Sequence, residues 1–182
     1  METQNLEVLL GVTGGIAAYK AANLTSLLVK QGVGVTVVMT EAATKLVGPK
    51  TFEALTRRPV AVSMWEARMV HPHIELARQA SVFCIAPATA NIMAKAAHGI
   101  ADDLMSSTIL AFDGKLMMAP AMNTVMWEKP ATQRNYRQLI EDGVVMLGPE
   151  DGRLSCGEAG KGRMVSPETI AEAIMKELRS RN

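Results

Sequence analysis

The sequence predicts an α/β fold: an open parallel sheet with helices on both faces, formed as one domain over residues 1–182. Three observations predict it. Short apolar runs alternate with stretches of helical spacing along the chain, the pattern of repeated strand–helix units. The runs are continuous rather than alternating in polarity, as in strands covered on both sides. Several runs end in a glycine, a hydroxyl or a carboxamide where a helix begins, and ligands of open α/β sheets bind along that rim.

The elements follow in order. Leu6 to Val12 is a short apolar run interrupted by Gly11, a buried strand. Ile16 to Gln31 has helical spacing, with Ile16, Tyr19, Leu24, Leu27 and Leu28 on one face and Gly32 closing the helix. Val33 to Thr40 is β-branched and strand-like. A helical segment runs from about Ala42 to Arg57, and Pro59 to Val62 is a weak third strand. His73 to Gln79 forms a short helix before the strand Ser81 to Ala86. Asn91 to His98 and Asp103 to Ala111 are helices, and Lys115 to Ala119 is a strand. Thr124 to Asp142 is helical with an interruption near Pro130, and Gly143 to Leu147 is a last short strand. Ser166 and Pro167 are cap and first residue of a helix to Arg179. Together they describe a Rossmann-like sheet of the flavodoxin-like type. Gly148 to Val165 stands apart, with five glycines and no periodicity, and reads as a functional or mobile loop.

Composition narrows the function. A net charge of +1 and 4% aromatic residues supply neither the basic field nor the stacking platforms of a nucleic-acid binder. No apolar stretch reaches the length of a membrane span, and no secretory leader is visible. Cys84 and Cys156 have no metal-type or disulfide spacing, so a reducing, cytoplasmic setting is expected. Cys84 sits in an apolar run and is expected to be buried. His71, His73 and His98 share no metal-ligand spacing, and no metal is expected.

The chemistry-bearing segments lie at strand ends. Gly11-Val12-Thr13-Gly14-Gly15-Ile16 joins strand to helix through bare amides suited to a phosphate. It is neither a dinucleotide fingerprint nor a P-loop, and the second strand ends in Thr40 rather than a ribose-gripping acid. A mononucleotide fits better than NAD. Pro87-Ala88-Thr89-Ala90-Asn91 and Pro120-Ala121-Met122-Asn123 each bring a carboxamide to the rim, although either Asn also suits a simple cap. His73, at a helix start, suits a base or a capping residue. Cys156 lies among glycines on the loop, accessible to donate a proton or merely free. Lys161 and Arg163 suit an anionic substrate end or a solvated loop. Asp102 and Asp103 read as helix N-terminal acids, followed by Ser106 and Ser107.

With these segments in this order, the chain resembles the flavin-dependent cysteine decarboxylases from Gly11 to about Met164. The family pattern is met by His73-Ile74-Glu75-Leu76, by Pro87 to Asn91, by Pro120 to Trp127 and by the Cys156 loop. Thr89 stands for the usual serine and keeps a hydroxyl; Ile92 stands for the usual threonine. The Cys156-to-Met164 arrangement is similar to that of the branch acting on 4′-phosphopantothenoylcysteine in coenzyme A biosynthesis.

The resemblance implies FMN as cofactor and a transient oxidation of the substrate to a thioaldehyde, decarboxylation to an ene-thiol and re-reduction. It implies His73 as base and Cys156 as proton donor, with Asn123 and the backbone near Met122 on the substrate carboxylate. Asn91 would hold the pantothenoyl amide, and Lys161 and Arg163 remain candidates for an anionic end of the substrate. Thr13, Gly14, Gly15, Ile16, Thr40, Pro87, Thr89, Ser106 and Ser107 would surround FMN. It further implies a homotrimer or a dodecamer of trimers with His73 and Asn91 meeting flavin across an interface. The unit is either free-standing or fused to a phosphopantothenate–cysteine ligase domain. Two rivals share much of the pattern: a decarboxylase of a peptide's C-terminal cysteine, and a non-catalytic flavin-binding regulatory subunit. A flavin prenyltransferase shares the glycine-rich turn but lacks the Pro-x-Met-Asn block.

Overall fold

The computed structural model describes residues 6–65, 70–155 and 157–180. Five parallel strands form the sheet: β1 (Glu7–Val12), β2 (Gly34–Met39), β3 (Val82–Ala88), β4 (Lys115–Pro120) and β5 (Val145–Met146). Their spatial order is β2-β1-β3-β4-β5. This is the flavodoxin-like order, whose direction of winding reverses between β1 and β3.

Strand side chains divide between two cores because successive residues point to opposite faces. Val8, Leu10, Val12, Cys84, Ala86, Met117 and Ala119 pack on one side with α1 (Ala18–Lys30), α3 (Pro49–Thr56) and α9 (Pro167–Ser180). Leu9, Phe83, Ile85, Ala88 and Met118 pack on the other. There they meet α4 (Pro72–Arg78), α5 (Ala90–His98), α6 (Leu104–Ala111), α7 (Thr124–Glu128) and α8 (Pro130–Glu141). The central strands read as continuous apolar runs because both faces are covered.

Several boundaries differ from the expectations for physical reasons. The helical segment near 42–57 is two helices, α2 (Glu41–Thr44) and α3. Pro49 begins α3 at its first turn, where a missing N–H costs no helical bond. The expected third strand at 59–62 is reduced to one parallel bridge, Ala61 to Val38. Its short edge segment ties to the sheet through Ala61 N–H to Val37 C=O and Met39 N–H to Ala61 C=O, 3.0 and 2.8 Å. Ile16 and Tyr19 are not on the buried face of α1. They are 59% and 62% exposed, and Ala18, Ala21, Leu24, Thr25 and Leu28 form that face instead.

The stretch 148–165 is not without regular structure. It holds an antiparallel hairpin, β6 (Glu150–Arg153) with β7 (Ala159–Arg163). Its glycines hid the strand signal, since they carry no side chain to alternate. Ser166 caps α9 as expected, its Oγ accepting from Thr169 N–H at 3.1 Å.

Candidate active site

The β1–β3 reversal opens a crevice at the carboxyl ends of the strands, and one side chain ties its two walls. The buried Thr13 hydroxyl, just after β1, donates to the Pro87 carbonyl in β3 at 2.7 Å. It accepts from Thr89 N–H at 3.2 Å. Thr13 therefore fixes the β1–α1 turn against the β3–α5 turn, a joint that no hydrogen bond of the strand ladder supplies.

Two cavities flank this joint and share Gly14, Thr89, Ala90 and Met126 as a common wall. The first, about 580 Å³, lies between Gly15, Ile16, Tyr19, Ala121, Met122 and Asn123 on one side and the β6–β7 hairpin on the other. Arg153, Leu154, Ser155, Gly162 and Arg163 bring the hairpin to it. The second, about 630 Å³, is bounded by Thr13, Thr40, Ala42, Asn91, Asp102 and Asp103, with Met64 and Trp65 at its edge. Both volumes fall in the range of about 300–1,000 Å³ usual for ligand pockets.

The turn into α1 suits a phosphate-bearing ligand. Its N-terminus has no side-chain cap, unlike those of α2 and α5, which Thr40 and Thr89 cap. Gly14 is exposed, yet a Cβ there would run into the side chain of Ala42. The turn is thus kept bare by close approach of α2 at the positive end of the helix, although Gly15 N–H and Ala18 N–H already donate within it, to the Thr13 and Gly15 carbonyls at 2.8 Å each.

The opposite rim carries a cluster of one cation and two carboxylates. Lys95 Nζ bridges Asp102 and Asp103, each at 2.6 Å. Asp103 also caps α6, accepting from Ser106 N–H at 2.8 Å, while its own N–H donates to Ser106 Oγ at 3.1 Å. Burial pushes the Asp103 carboxyl up, but bonds from Lys95 and Ser106 outweigh it and hold it below the ordinary carboxylate range.

Asn123 is both a cap and a donor. Its Oδ1 accepts from Val125 N–H at 2.8 Å at the start of α7. That bond orients the amide so that Nδ2 points away from the helix, where it donates to Glu158 Oε2 at 3.0 Å. The hairpin also docks through Met122 N–H to the Gly162 carbonyl, 3.0 Å. The Met122 amide is therefore committed to the hairpin rather than free for a ligand. Gly162 has φ +147°, and a Cβ on it would strike the Met122 carbonyl.

The other expected residues fall as follows. Thr13, Gly14, Thr40 and Thr89 line the second cavity, and Gly15 and Ile16 the first. Pro87 reaches the site through its carbonyl. Asn91, exposed in the first turn of α5, lines the second cavity and not the one holding Met122 and Asn123. Ser106 and Ser107 do not line either cavity. Ser106 is buried in the cap of α6, and Ser107 Oγ donates to the Ala101 carbonyl at 3.4 Å. Arg163 lines the first cavity and pairs with Glu150 at 3.1 Å, whereas the exposed Lys161 lines neither.

His73, in the first turn of α4, lines neither cavity. Its Nδ1 is buried without a hydrogen-bond partner. Cys156 lies outside the described residues. Cys84 is wholly buried in β3, and burial pushes its thiol up to about 12, which removes it from acid–base work near neutral pH. Among the described residues no group of His, Cys, Asp and Glu is arranged to hold a metal ion. No helix among them is long and apolar enough to cross a membrane.

Met64, Trp65 and Arg153 line the cavities without having been singled out in the sequence, and Tyr19 lines one without having been expected there. For Tyr19 the signal was present but read as core periodicity. Trp65 is 87% exposed and follows no pattern, so only the fold brings it to the rim.

Comparison with known proteins gives a consistent picture. The Flavoprotein family matches residues 1–179. The chain is 45% identical over 174 residues to the coenzyme A biosynthesis bifunctional protein CoaBC of Bacillus subtilis (strain 168), covering 94% of this chain and 43% of that protein. It is 45% identical over 163 residues to the CoaBC protein of Vibrio cholerae serotype O1, covering 88% and 41%. The chain thus spans about two-fifths of the length of these curated relatives. A solved structure of a PPC decarboxylase mutant complexed with pantothenoylaminoethenethiol superposes with TM-score 0.85 at 31% identity, covering 95% of this chain and 98% of that one. The FMN-dependent cysteine decarboxylase SpaF superposes with TM-score 0.80 at 37% identity, covering 94% and 97%.

Proposed function

The chain belongs to the Flavoprotein family, and from that premise we propose that it is a cytoplasmic, FMN-dependent decarboxylase of 4′-phosphopantothenoylcysteine, yielding 4′-phosphopantetheine for coenzyme A biosynthesis. One observation carries this reading. Two ligand-sized cavities meet at the strand-order reversal with Gly14 in their common wall, and the first brings the uncapped start of α1 and the carboxamide of Asn123 to one space.

FMN, when bound, supplies the reversible two-electron oxidation of the substrate's cysteine portion, without which the carboxylate has no sink for its electrons. The chain's own residues do the rest. The turn at Thr13 to Ile16 holds the cofactor's phosphate, with Thr40 and Thr89 beside it. Asn123 Nδ2 donates to the substrate carboxylate and orients it. Asn91 binds farther along the substrate or the cofactor. His73 takes a proton at the imidazole in the oxidative half, and Cys156 returns one in the reductive half. The β6–β7 hairpin covers the first cavity and keeps water from it.

The reading includes a trimeric assembly. His73 has an orphaned buried nitrogen and no cavity of its own, and a neighbouring subunit would bring a flavin to it. Exposed Trp65, Val70 and Tyr19 are apolar groups of the kind that interfaces cover. In a bifunctional protein of the relatives' length, this chain supplies the decarboxylase unit beside a phosphopantothenate–cysteine ligase domain.

The test is direct. Purified protein should be yellow, release FMN on denaturation, and evolve carbon dioxide from phosphopantothenoylcysteine. Release of FAD, or turnover of a peptide with C-terminal cysteine in preference, would reject it.

A further inference from the structure

The carboxamide of Asn123 already holds a carboxylate, and it is one of the protein's own. Glu158, next to the hairpin strand β7, accepts from Asn123 Nδ2 at 3.0 Å. The amide cannot turn aside from this partner without giving up the α7 cap, because Oδ1 is engaged by Val125 N–H at 2.8 Å. The donor is therefore held in one orientation on a residue that lines the first cavity, and Glu158 belongs to the hairpin that bounds that cavity. Two more contacts set the approach. Met122 N–H binds the Gly162 carbonyl at 3.0 Å, and Gly160 lies so close to α7 that a Cβ there would sit 2.5 Å from Thr124 Oγ1.

We propose that Glu158 is a specificity-determining residue that competes with a substrate carboxylate for the hydrogen bond that Asn123 donates. This rests on the reading that Asn123 receives that carboxylate. A carboxylate-bearing ligand must displace Glu158 and then sit near it, with two like charges at one amide. A decarboxylated ligand carries no such group, so Glu158 regains Asn123 once carbon dioxide has left. The residue thus opposes substrate more than product in binding and re-docks the hairpin after the chemistry.

The probes are two unreactive amides of phosphopantothenic acid, one with L-alanine and one with ethylamine. They differ only in the carboxylate, and neither has a thiol to oxidise. Calorimetric titration of FMN-loaded protein gives the affinity ratio of the pair. In Glu158→Ala the ratio should shift toward the alanine amide by about threefold to fivefold, the scale of a part-exposed charged contact. Glu158→Gln, which keeps the acceptor and loses the charge, should shift it in the same direction by less.

Asn123→Asp keeps the α7 cap and replaces the donor with a charge, so it should abolish the preference for the carboxylate probe. If Asn123→Asp does so while both Glu158 variants leave the ratio unchanged, Glu158 serves hairpin docking only and the inference falls alone. If Asn123→Asp leaves the ratio unchanged, the reading of Asn123 falls and the inference with it. Equal weakening of both probes in Glu158→Ala also overturns it.

Discussion

Thr13 shows how much one hydroxyl decides. It is 1% exposed, and its hydroxyl serves two backbone groups across the strand-order reversal. Thr13→Val keeps the volume but strands the buried Pro87 carbonyl, at a cost of about 1–3 kcal/mol. The expected result is a lower Tm together with weaker retention of FMN, both recovered in Thr13→Ser. Thermal unfolding and flavin release on dilution measure the two effects. The pair Asp103 and Lys95 adds a pH signature. Because the folded-state pKa of Asp103 is depressed, its stabilisation is complete above the unfolded-chain value of about 3.9 and lost as pH falls through the lower folded value. Asp103→Asn retains a capping side chain without the charge. Its Tm should therefore fall less than that of the unaltered protein between pH 6 and 3, by about 2–4 °C or less given the exposure of the pair. Scanning calorimetry across that range checks this, and parallel curves would contradict it.

At the scale of elements, the hairpin β6–β7 differs from the rest. It contributes few buried residues to either core, and it reaches the site through backbone contacts that only glycine permits. Gly162→Ala forces a side chain onto φ +147° and against the Met122 carbonyl. Strain of about 1–3 kcal/mol falls on the docked hairpin rather than on the sheet, so KM should rise about tenfold while Tm changes little. Steady-state kinetics beside a melting curve separate the two; a large fall in Tm would mean the hairpin is part of the cooperative fold. The hairpin was not legible in the sequence because β-strand signals come from alternating side chains, and Gly152, Gly160 and Gly162 have none. Helix α1 was legible from apolar spacing closed by Gly32, and α9 from Ser166 and Pro167 at its start together with its apolar spacing.

For the whole molecule, the separation of His73 from both cavities is the feature with the largest consequence. If the site is shared between subunits, His73→Asn and Asn123→Asp damage different sides of each interface. Either variant alone should be inactive, by at least about 100-fold for the His73 base. Co-expressed in equal amounts, they should recover about a quarter of full activity, the chance that an intact His73 meets an intact Asn123 at a random interface. Light scattering should report the same oligomer for all three preparations. No recovery in a mixed oligomer would locate both residues in one subunit's site.

The strand-and-helix alternation, the covered faces of β1 and β3 and the glycine turn between β1 and α1 were all readable along the chain, because each depends on neighbours within a few residues. Asn91 and Asn123 were readable as rim residues for the same reason, since each follows a strand directly. Which cavity each faces was not: Asn91 opens onto one and Asn123 onto the other. The Thr13–Pro87 joint, the Lys95 bridge to Asp102 and Asp103, the bond between Asn123 and Glu158 and the removal of Ser106 into a cap were decided only by the fold. Except for that cap and bridge, they join residues far apart in the chain. Even the local pair Asp103 and Ser106 offers two uses for one hydroxyl, ligand or cap. Local pattern sets which elements form; packing of the elements sets which polar group meets which.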